Sequence, residues 1–219
     1  MSCDCYIFTG GSVFADTLNE LGLSIDGSAL VIAADSGYLT AKRLGVRVDM
    51  LIGDLDSLDK DKLSAHELDE TQKILVSPIK DDTDTQLAID TAISRGATKI
   101  TLIGGLGGRL DHTLSSVFML EYLAERKVDC AMTDGKNRVH IMRASGEKQT
   151  LTVERGYKYL SLVSLTDACR GVSITGVYYP LDSVELTRKY SYAVSNEITA
   201  EAAVITLSQG VMLVIESRD

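Results

Sequence analysis

The stretch KITLIGGLGGRLDHTLSSVFMLEYLAER, Lys99 to Arg126, contains the plan of its half of the chain. KITLIGGLGG reads as a short apolar strand running into a glycine turn. LSSVFMLEYLAER then carries apolar residues at helical spacing. The same unit recurs on both sides. CYIFTGG (5–11) and ALVIAADSG (29–37) are apolar strands that end on glycine or on an acidic residue and glycine. YLTAKRLG (38–45) is helical and stops at Gly45, a C-cap signal. DMLIGDLDS (49–57) and KILVSPIKDDTD (73–84) are a third and a fourth strand with their loops, Pro78 marking the exit of the latter. TQLAIDTAISRG (85–96) is an amphipathic helix ending at Gly96, and VDCAMTD (128–134) closes the series. Short apolar strands alternating with helices predict a parallel sheet with right-handed crossovers.

Beyond about Asn137 the texture changes. RVHIMRA, KQTLTVE, YKYLSLVSLT, RGVSITGVYY, AAVITLS and VMLVIES are short, rich in β-branched residues and separated by turn residues, with no helical period. They predict a small antiparallel sandwich or barrel. The fold class is therefore an α/β domain over 1–136, built on a parallel sheet, followed by an antiparallel β-sandwich domain over 137–219. The boundary at TDGKNR is a turn rather than a linker.

In a parallel α/β sheet the functional loops lie beyond the carboxyl ends of the strands. Those loops carry Gly10 and Gly11 after the first strand, Asp35 and Ser36 after the second, and Asp54 and Asp56 after the third. The fourth is followed by Lys80, Asp81, Asp82 and Asp84, and the fifth by GGLGGRLDH with Arg109, Asp111 and His112. Side chains two apart on an extended segment point the same way, so Asp54 and Asp56 are able to share one ion. Two carboxylates about 4 Å apart repel by roughly 4 kcal/mol at an effective dielectric near 20. Several in one cleft call for a hard divalent cation such as Mg²⁺ with phosphate oxygens. A D-x-D taken alone is more often a solvated loop, and Asp82, Asp84 and Asp111 also suit helix starts. Capping does not explain Asp35, Asp54 and Asp56, which follow strands. GGLGGR supplies backbone N–H groups and a guanidinium for an anion. It is neither a phosphate loop of the Walker type nor a dinucleotide fingerprint, because Leu110 stands where the last glycine belongs.

The totals set the class. The chain has 219 residues, 45% of them apolar, enough for a sizeable core. A formal net charge of −9 argues against non-specific nucleic-acid binding. No apolar run is long enough to span a bilayer, and no basic-then-apolar leader opens the chain, so the cytoplasm is the default expectation. Cys3, Cys5, Cys130 and Cys169 fit reduced thiols, and His66, His112 and His140 form no ligand pair at metal spacing.

ADSGYLTAKRLGVRVDMLIGDLDSL, KDDTDTQLAI and GGLGGRLDHTLSSV resemble the thiamine pyrophosphokinases, which make thiamine diphosphate from thiamine and ATP with release of AMP. GVYYPL and SYAVSNE in the tail extend the resemblance over nearly the whole chain. It implies a catalytic, ATP- and Mg²⁺-binding first domain, a thiamine-binding second domain, and a homodimer with thiamine between subunits. It implies Asp54, Asp56 and Asp84 for Mg²⁺, and Asp84, Asp56 and Arg109 for catalysis. It gives Asp35, Lys80, Asp81, Thr83, Gly105, Gly107, Gly108, Asp111 and His112 to ATP and its phosphates. Tyr179, Ser195 and Asn196 fall to thiamine, with Glu197 beside them. Tyr179 takes the position of a frequent tryptophan; if that segment is a strand, Tyr178 and Tyr179 face opposite sides. Three departures stand out: A-D-S-G-Y replaces A-D-G-G-A, Ser116 replaces a common asparagine, and tyrosine replaces that tryptophan. The alternatives are a non-catalytic nucleotide or thiamine sensor of the same fold, or transfer to another small alcohol. An intact acidic set weighs against the sensor.

Overall fold

Cys5–Phe8, Val31–Ala34 and Ile100–Ile103 are buried at every position, as strands covered on both faces must be. The structure, a computed structural model, describes residues 3–53, 72–75 and 83–219. Asp54, Asp56, Pro78, Lys80, Asp81 and Asp82 lie outside the described residues. The chain divides into two compact units, one of Met1–Met119 with Arg126–Gly135, the other of Leu120–Glu125 with Lys136–Asp219.

Among the described residues the first unit has six strands: β1 (Asp4–Phe8), β2 (Leu30–Ala34), β3 (Met50–Gly53), β4 (Gln72–Leu75), β5 (Lys99–Ile103) and β6 (Asp129–Thr133). They lie in the order β6-β5-β1-β2-β3-β4, every pair parallel. Among the described residues three helices follow these strands in the chain: α1 (Gly37–Arg43), α2 (Asp84–Ser94) and α3 (Leu110–Glu125), the last contributing Leu120–Glu125 to the second unit. The chain between β1 and β2 has turns but no helix. Tyr6, Phe8, Val31, Ala33, Leu51 and Ile103 join Tyr38 and Ala41 of α1 in one core cluster. α2 packs on β1, β2 and β3 through a face that includes the buried Ala88, Ile89 and Ala92.

The two glycine stops behave as their residue types require. After α1, Gly45 at φ 70° donates to the Lys42 carbonyl and Val46 donates to that of Ala41. After α2, Gly96 at φ 85° donates to Ile93, and Ala97 to Ala92. Both are Schellman closures, which need a residue that takes the left-handed region without a Cβ clash. α3 begins at Leu110, earlier than its apolar period indicates, so Asp111 sits in its first turn.

The second unit is antiparallel, as its texture predicts, but its strands are cut differently. RVHIMRA and KQTLTVE belong to one long strand, β7 (Asn137–Glu154), and AAVITLS and VMLVIES to another, β11 (Ala202–Ser217). The pair forms a ribbon with a register shift between Leu207 and Gln209, near Gly146 at φ 110° and Gly210 at φ 111°. Those glycines read as turns in sequence and act as a bulge in the structure. β8 (Tyr159–Ser164) pairs with the second half of β11, and β9 (Ala168–Thr175) with the first half. One bent strand thus serves both layers of a sandwich. β10 (Leu181–Thr187), on the edge beside β9, has a weak alternation and no sequence signal strong enough to mark it. Met142, Leu160, Leu162, Val172, Ile174, Ile205 and Val214 are among the buried residues of this core.

Candidate functional site

Parallel strands end on one edge, and at that edge of the first unit lies a cavity of about 540 Å³. β1 delivers Thr9, whose N–H and hydroxyl both donate to the Ile103 carbonyl, at 2.8 and 3.2 Å. Gly10 and Gly11 follow and form part of the wall. A Cβ on Gly11 would run into the carbonyls of Gly104 and Leu106, so this crossing admits glycine alone. Arg43, at the end of α1, holds the chain just beyond: it donates to the carbonyls of Ala15 at 2.6 Å and Val13 at 3.3 Å and pairs with Asp16 at 3.0 Å.

β2 delivers Asp35, which sits at φ 49° although it is not glycine. Its N–H donates to Ile52 at 2.9 Å and its carbonyl accepts from Tyr38 at 3.2 Å, and these bonds hold the strained backbone. Its carboxylate lies where a side chain on Gly53 would be, so it faces the end of β3. The N-terminus of α2 brings Thr83, whose hydroxyl caps the helix by accepting from the Gln86 N–H at 3.2 Å. Asp84 and Thr85 enter the wall from the first turn of that helix, where a carboxylate also favours the dipole.

The glycine turn after β5 takes the left-handed backbone at Gly104, Gly107 and Gly108. Gly105, Gly107 and Gly108 line the cavity with Arg109, His112 and Ser116. Arg109 and Asp111 form a two-pronged ion pair, Nε to Oδ1 at 3.1 Å and Nη2 to Oδ2 at 2.6 Å, with both side chains largely exposed. The hydrogen bond from Arg109 holds the Asp111 carboxyl below the ordinary carboxylate range. Asp111 opens not onto the large cavity but onto a smaller one of about 200 Å³, which shares Thr83, Thr85, His112 and Ser116 with it.

The cavity therefore gathers Asp35, Thr83, Asp84, Gly105, Gly107, Gly108, Arg109 and His112 from the residues expected by sequence, with Asp111 next door. Ser116, which the family resemblance marks as a replaced asparagine, belongs to the wall as well, and so do Thr9 and Thr85, to which only chain order along the sheet edge could have pointed. Its carboxylates and hydroxyls are all oxygen donors, the set a hard cation such as Mg²⁺ takes. Among the described residues no group of three or more His, Cys, Asp or Glu side chains stands together as a metal site.

In the second unit Tyr178 and Tyr179 are both exposed, at 66% and 65%, with ring centroids 4.8 Å apart in an edge-to-face pair. β9 ends at Thr175, so the two rings do not alternate across a strand as the sequence reading had them. SYAVSNE (191–197) lies outside the strands, with Asn196 in an isolated antiparallel bridge to Leu160. Ser195 is an exposed residue at φ 58°, its N–H donating to the Ser161 hydroxyl at 3.0 Å. Asn196 is only 8% exposed, and its amide clamps the backbone of Tyr179: Oδ1 accepts from the Tyr179 N–H at 3.0 Å and Nδ2 donates to the Tyr179 carbonyl at 2.8 Å. Oδ1 also accepts from the Glu197 N–H at 3.0 Å.

The sequence model for the catalytic domain of thiamin pyrophosphokinase matches residues 21–132, and the model for that enzyme's vitamin B1 binding domain matches residues 148–212. Thiamine pyrophosphokinase of Bacillus subtilis (strain 168) is 25% identical over 194 residues, 89% of this chain and 90% of that protein. Thiamin pyrophosphokinase 1 of Caenorhabditis elegans is 24% identical over 174 residues, 76% of this chain and 69% of that protein. The crystal structure of thiamin pyrophosphokinase from Geobacillus thermodenitrificans superposes with a TM-score of 0.83 at 26% identity, covering 99% of this chain and 98% of that one.

Proposed function

Since the chain belongs to the thiamin pyrophosphokinase family, we propose that the cavity at the carboxyl edge of its parallel sheet is where the diphosphate of ATP passes to the hydroxyl of thiamine, giving thiamine diphosphate and AMP. The observation that carries this reading is the convergence of Asp35, Asp84, Arg109 and the glycine turn on one cavity.

The steps balance simply. The thiamine hydroxyl oxygen bonds to the β-phosphorus, the bond from that phosphorus to the oxygen bridging it to the α-phosphorus breaks, and AMP departs with that oxygen. The hydroxyl proton goes to a carboxylate, Asp84 in our assignment, with Asp56 the other candidate. Arg109 exchanges Asp111 for phosphate oxygens, and the N–H groups of Gly105, Gly107 and Gly108 offer donors to the same chain. Lys80, Asp81, Thr83, Asp35, Asp111 and His112 complete the nucleotide side. Asp54, Asp56 and Asp84 would hold Mg²⁺, which when bound offsets the charge of the phosphates.

Tyr179 and Ser195 take thiamine, and Asn196 serves that site by fixing the Tyr179 backbone. The flat face of Tyr179 suits a cationic thiazolium or a pyrimidine. A homodimer in which one subunit brings this face to the other's cavity completes the reading. Leu110, Leu114 and Phe118 support it: they sit four residues apart on α3, all exposed, and present an apolar stripe of the sort a second copy covers. No helix among the described residues is long and apolar enough to cross a membrane, and the four cysteines are free thiols, which suits the cytoplasm.

The test is a single-turnover reaction with thiamine, ATP and MgCl₂, resolved by chromatography. AMP and thiamine diphosphate in equal amounts are expected. ADP as the nucleotide product would make the protein a simple kinase.

A further inference from the structure

Of the two residues by which A-D-S-G-Y departs from the family pattern, Tyr38 is accounted for by packing, since it is buried in the core beside Phe8 and Ala33. Ser36 is not. It holds the N-cap position of α1, where a serine ordinarily turns its oxygen back onto the first helical N–H groups. Here its backbone is already helical, φ −63° and ψ −8°, and its side chain makes no capping bond. Among the described residues its hydroxyl has no hydrogen-bond partner. It lines the large cavity instead. A Cβ on Gly10 would come within 2.8 Å of the Ser36 oxygen, so glycine at that position is what leaves the hydroxyl room.

A hydroxyl without an acceptor is a donor in waiting, and here it stands in the same wall as the glycine turn whose N–H groups are offered to phosphate. Asp35 and Asp84 stand in its wall and repel phosphate, while Arg109 is engaged by Asp111. We propose that the Ser36 hydroxyl donates a hydrogen bond to a phosphoryl oxygen of the bound nucleotide, as a substrate contact that this chain has and a glycine at the same place lacks. The proposal rests on reading the cavity as the nucleotide site. A hydrogen bond to a charged oxygen is stronger than one between neutral groups, so its loss is visible in binding.

The experiment compares wild type with Ser36→Ala and Ser36→Gly in three measurements: KM for ATP at saturating thiamine, inhibition by inorganic tripolyphosphate, and Tm. KM for ATP and the inhibition constant for tripolyphosphate are expected to rise together, roughly two- to tenfold. KM for thiamine and Tm stay at wild-type values, because the hydroxyl supports no bond of the fold. An unchanged KM for ATP in both variants overturns the proposal, and so does a weaker grip on ATP with undiminished inhibition by tripolyphosphate. A lower Tm with unchanged KM assigns the hydroxyl to α1 instead. A wild-type chain that uses no ATP sinks the family reading and this one together; ATP use with unaltered variants sinks this one alone.

Discussion

Asp35 and Ser195 both hold a left-handed backbone without being glycine, at φ 49° and 58°, and they are held in different ways. Asp35 is fixed by main-chain bonds that the sheet and α1 supply, to Ile52 and from Tyr38. Ser195 is fixed by side chains: the Ser161 hydroxyl receives its N–H, and the Asn196 amide next to it clamps Tyr179. The first arrangement follows from topology, because parallel strands put their exits on one edge whatever the loops contain. The second depends on which few polar side chains happen to reach which backbone groups. A site of the first kind tolerates changes in its loops and fails when its charges change. A site of the second kind fails when a single amide is removed.

The largest effect should come from charge in the first unit. Asp84→Asn keeps the volume and removes a carboxylate from the cavity. Its kcat is expected to fall by about 100-fold or more. Its Tm should fall by several degrees at most, since a half-buried charge in a first helical turn is worth no more than about 2 kcal/mol. Turnover and calorimetry on the same sample decide this. Activity close to wild type would break the contrast, because the cavity would then work without its carboxylate.

A smaller and differently shaped effect belongs to the second unit. Asn196→Ala leaves the N–H and carbonyl of Tyr179 without their partner, and losing these part-buried hydrogen bonds costs about 1 kcal/mol each. For a chain of this size each kcal/mol moves Tm by roughly 2–4 °C. KM for thiamine should rise by about tenfold while KM for ATP holds. If ATP binding weakens instead, the aromatic face is not where thiamine goes, and the first unit's site is untouched by that result.

The same contrast explains how much could be read before any coordinates. Strands β1 to β6, the glycine stops at Gly45 and Gly96, and the gathering of Asp35, Asp84 and Arg109 at one edge were legible because hydrophobic period and chain order determine them. The start of α3 was not, since Leu110–Thr113 shows no apolar period before the helix is under way. In the second unit Gly146 and Gly210 looked like turn residues, yet they bend continuous strands; a glycine by itself does not separate a turn from a bulge. β10 went unmarked because its buried positions are sparse. The clamp of Asn196 on Tyr179 leaves no trace in spacing at all.

The smallest expected effect concerns the cysteines, where the two units again differ. Cys5 on β1 and Cys130 on β6 lie in the two apolar strands that flank β5, on either side of Ile100 in register. Burial pushes both thiols up to about 12, with nearby charged groups adding to the shift: Cys3 and Asp49 for Cys5, Asp129 for Cys130. At pH 8 roughly one molecule in ten thousand then carries a thiolate at either site, and the thiolate is the reactive form. Cys169 of the second unit is fully buried in a polar knot, its sulfur donating to the Val211 carbonyl at 3.1 Å beside the Ser164 hydroxyl. Iodoacetamide on the native protein at pH 8 should therefore modify Cys3, the one partly exposed thiol, and leave activity unchanged. The same shifts fix a sign for alkali. The unfolded chain loses these two protons near pH 9 and the folded chain near 12, so above pH 9 the unfolded state binds fewer protons. Stability contributed by keeping the thiols neutral is present below pH 9 and drains away as the pH climbs towards 12. Cys5→Ala and Cys130→Ala would each flatten that decline while leaving a cavity that lowers Tm at neutral pH. Rapid labelling of Cys5 or Cys130 at pH 8, in protein that is still active, would show that the first unit opens at its sheet. Its architecture would then be the softer of the two, the reverse of what the main-chain support of Asp35 implies.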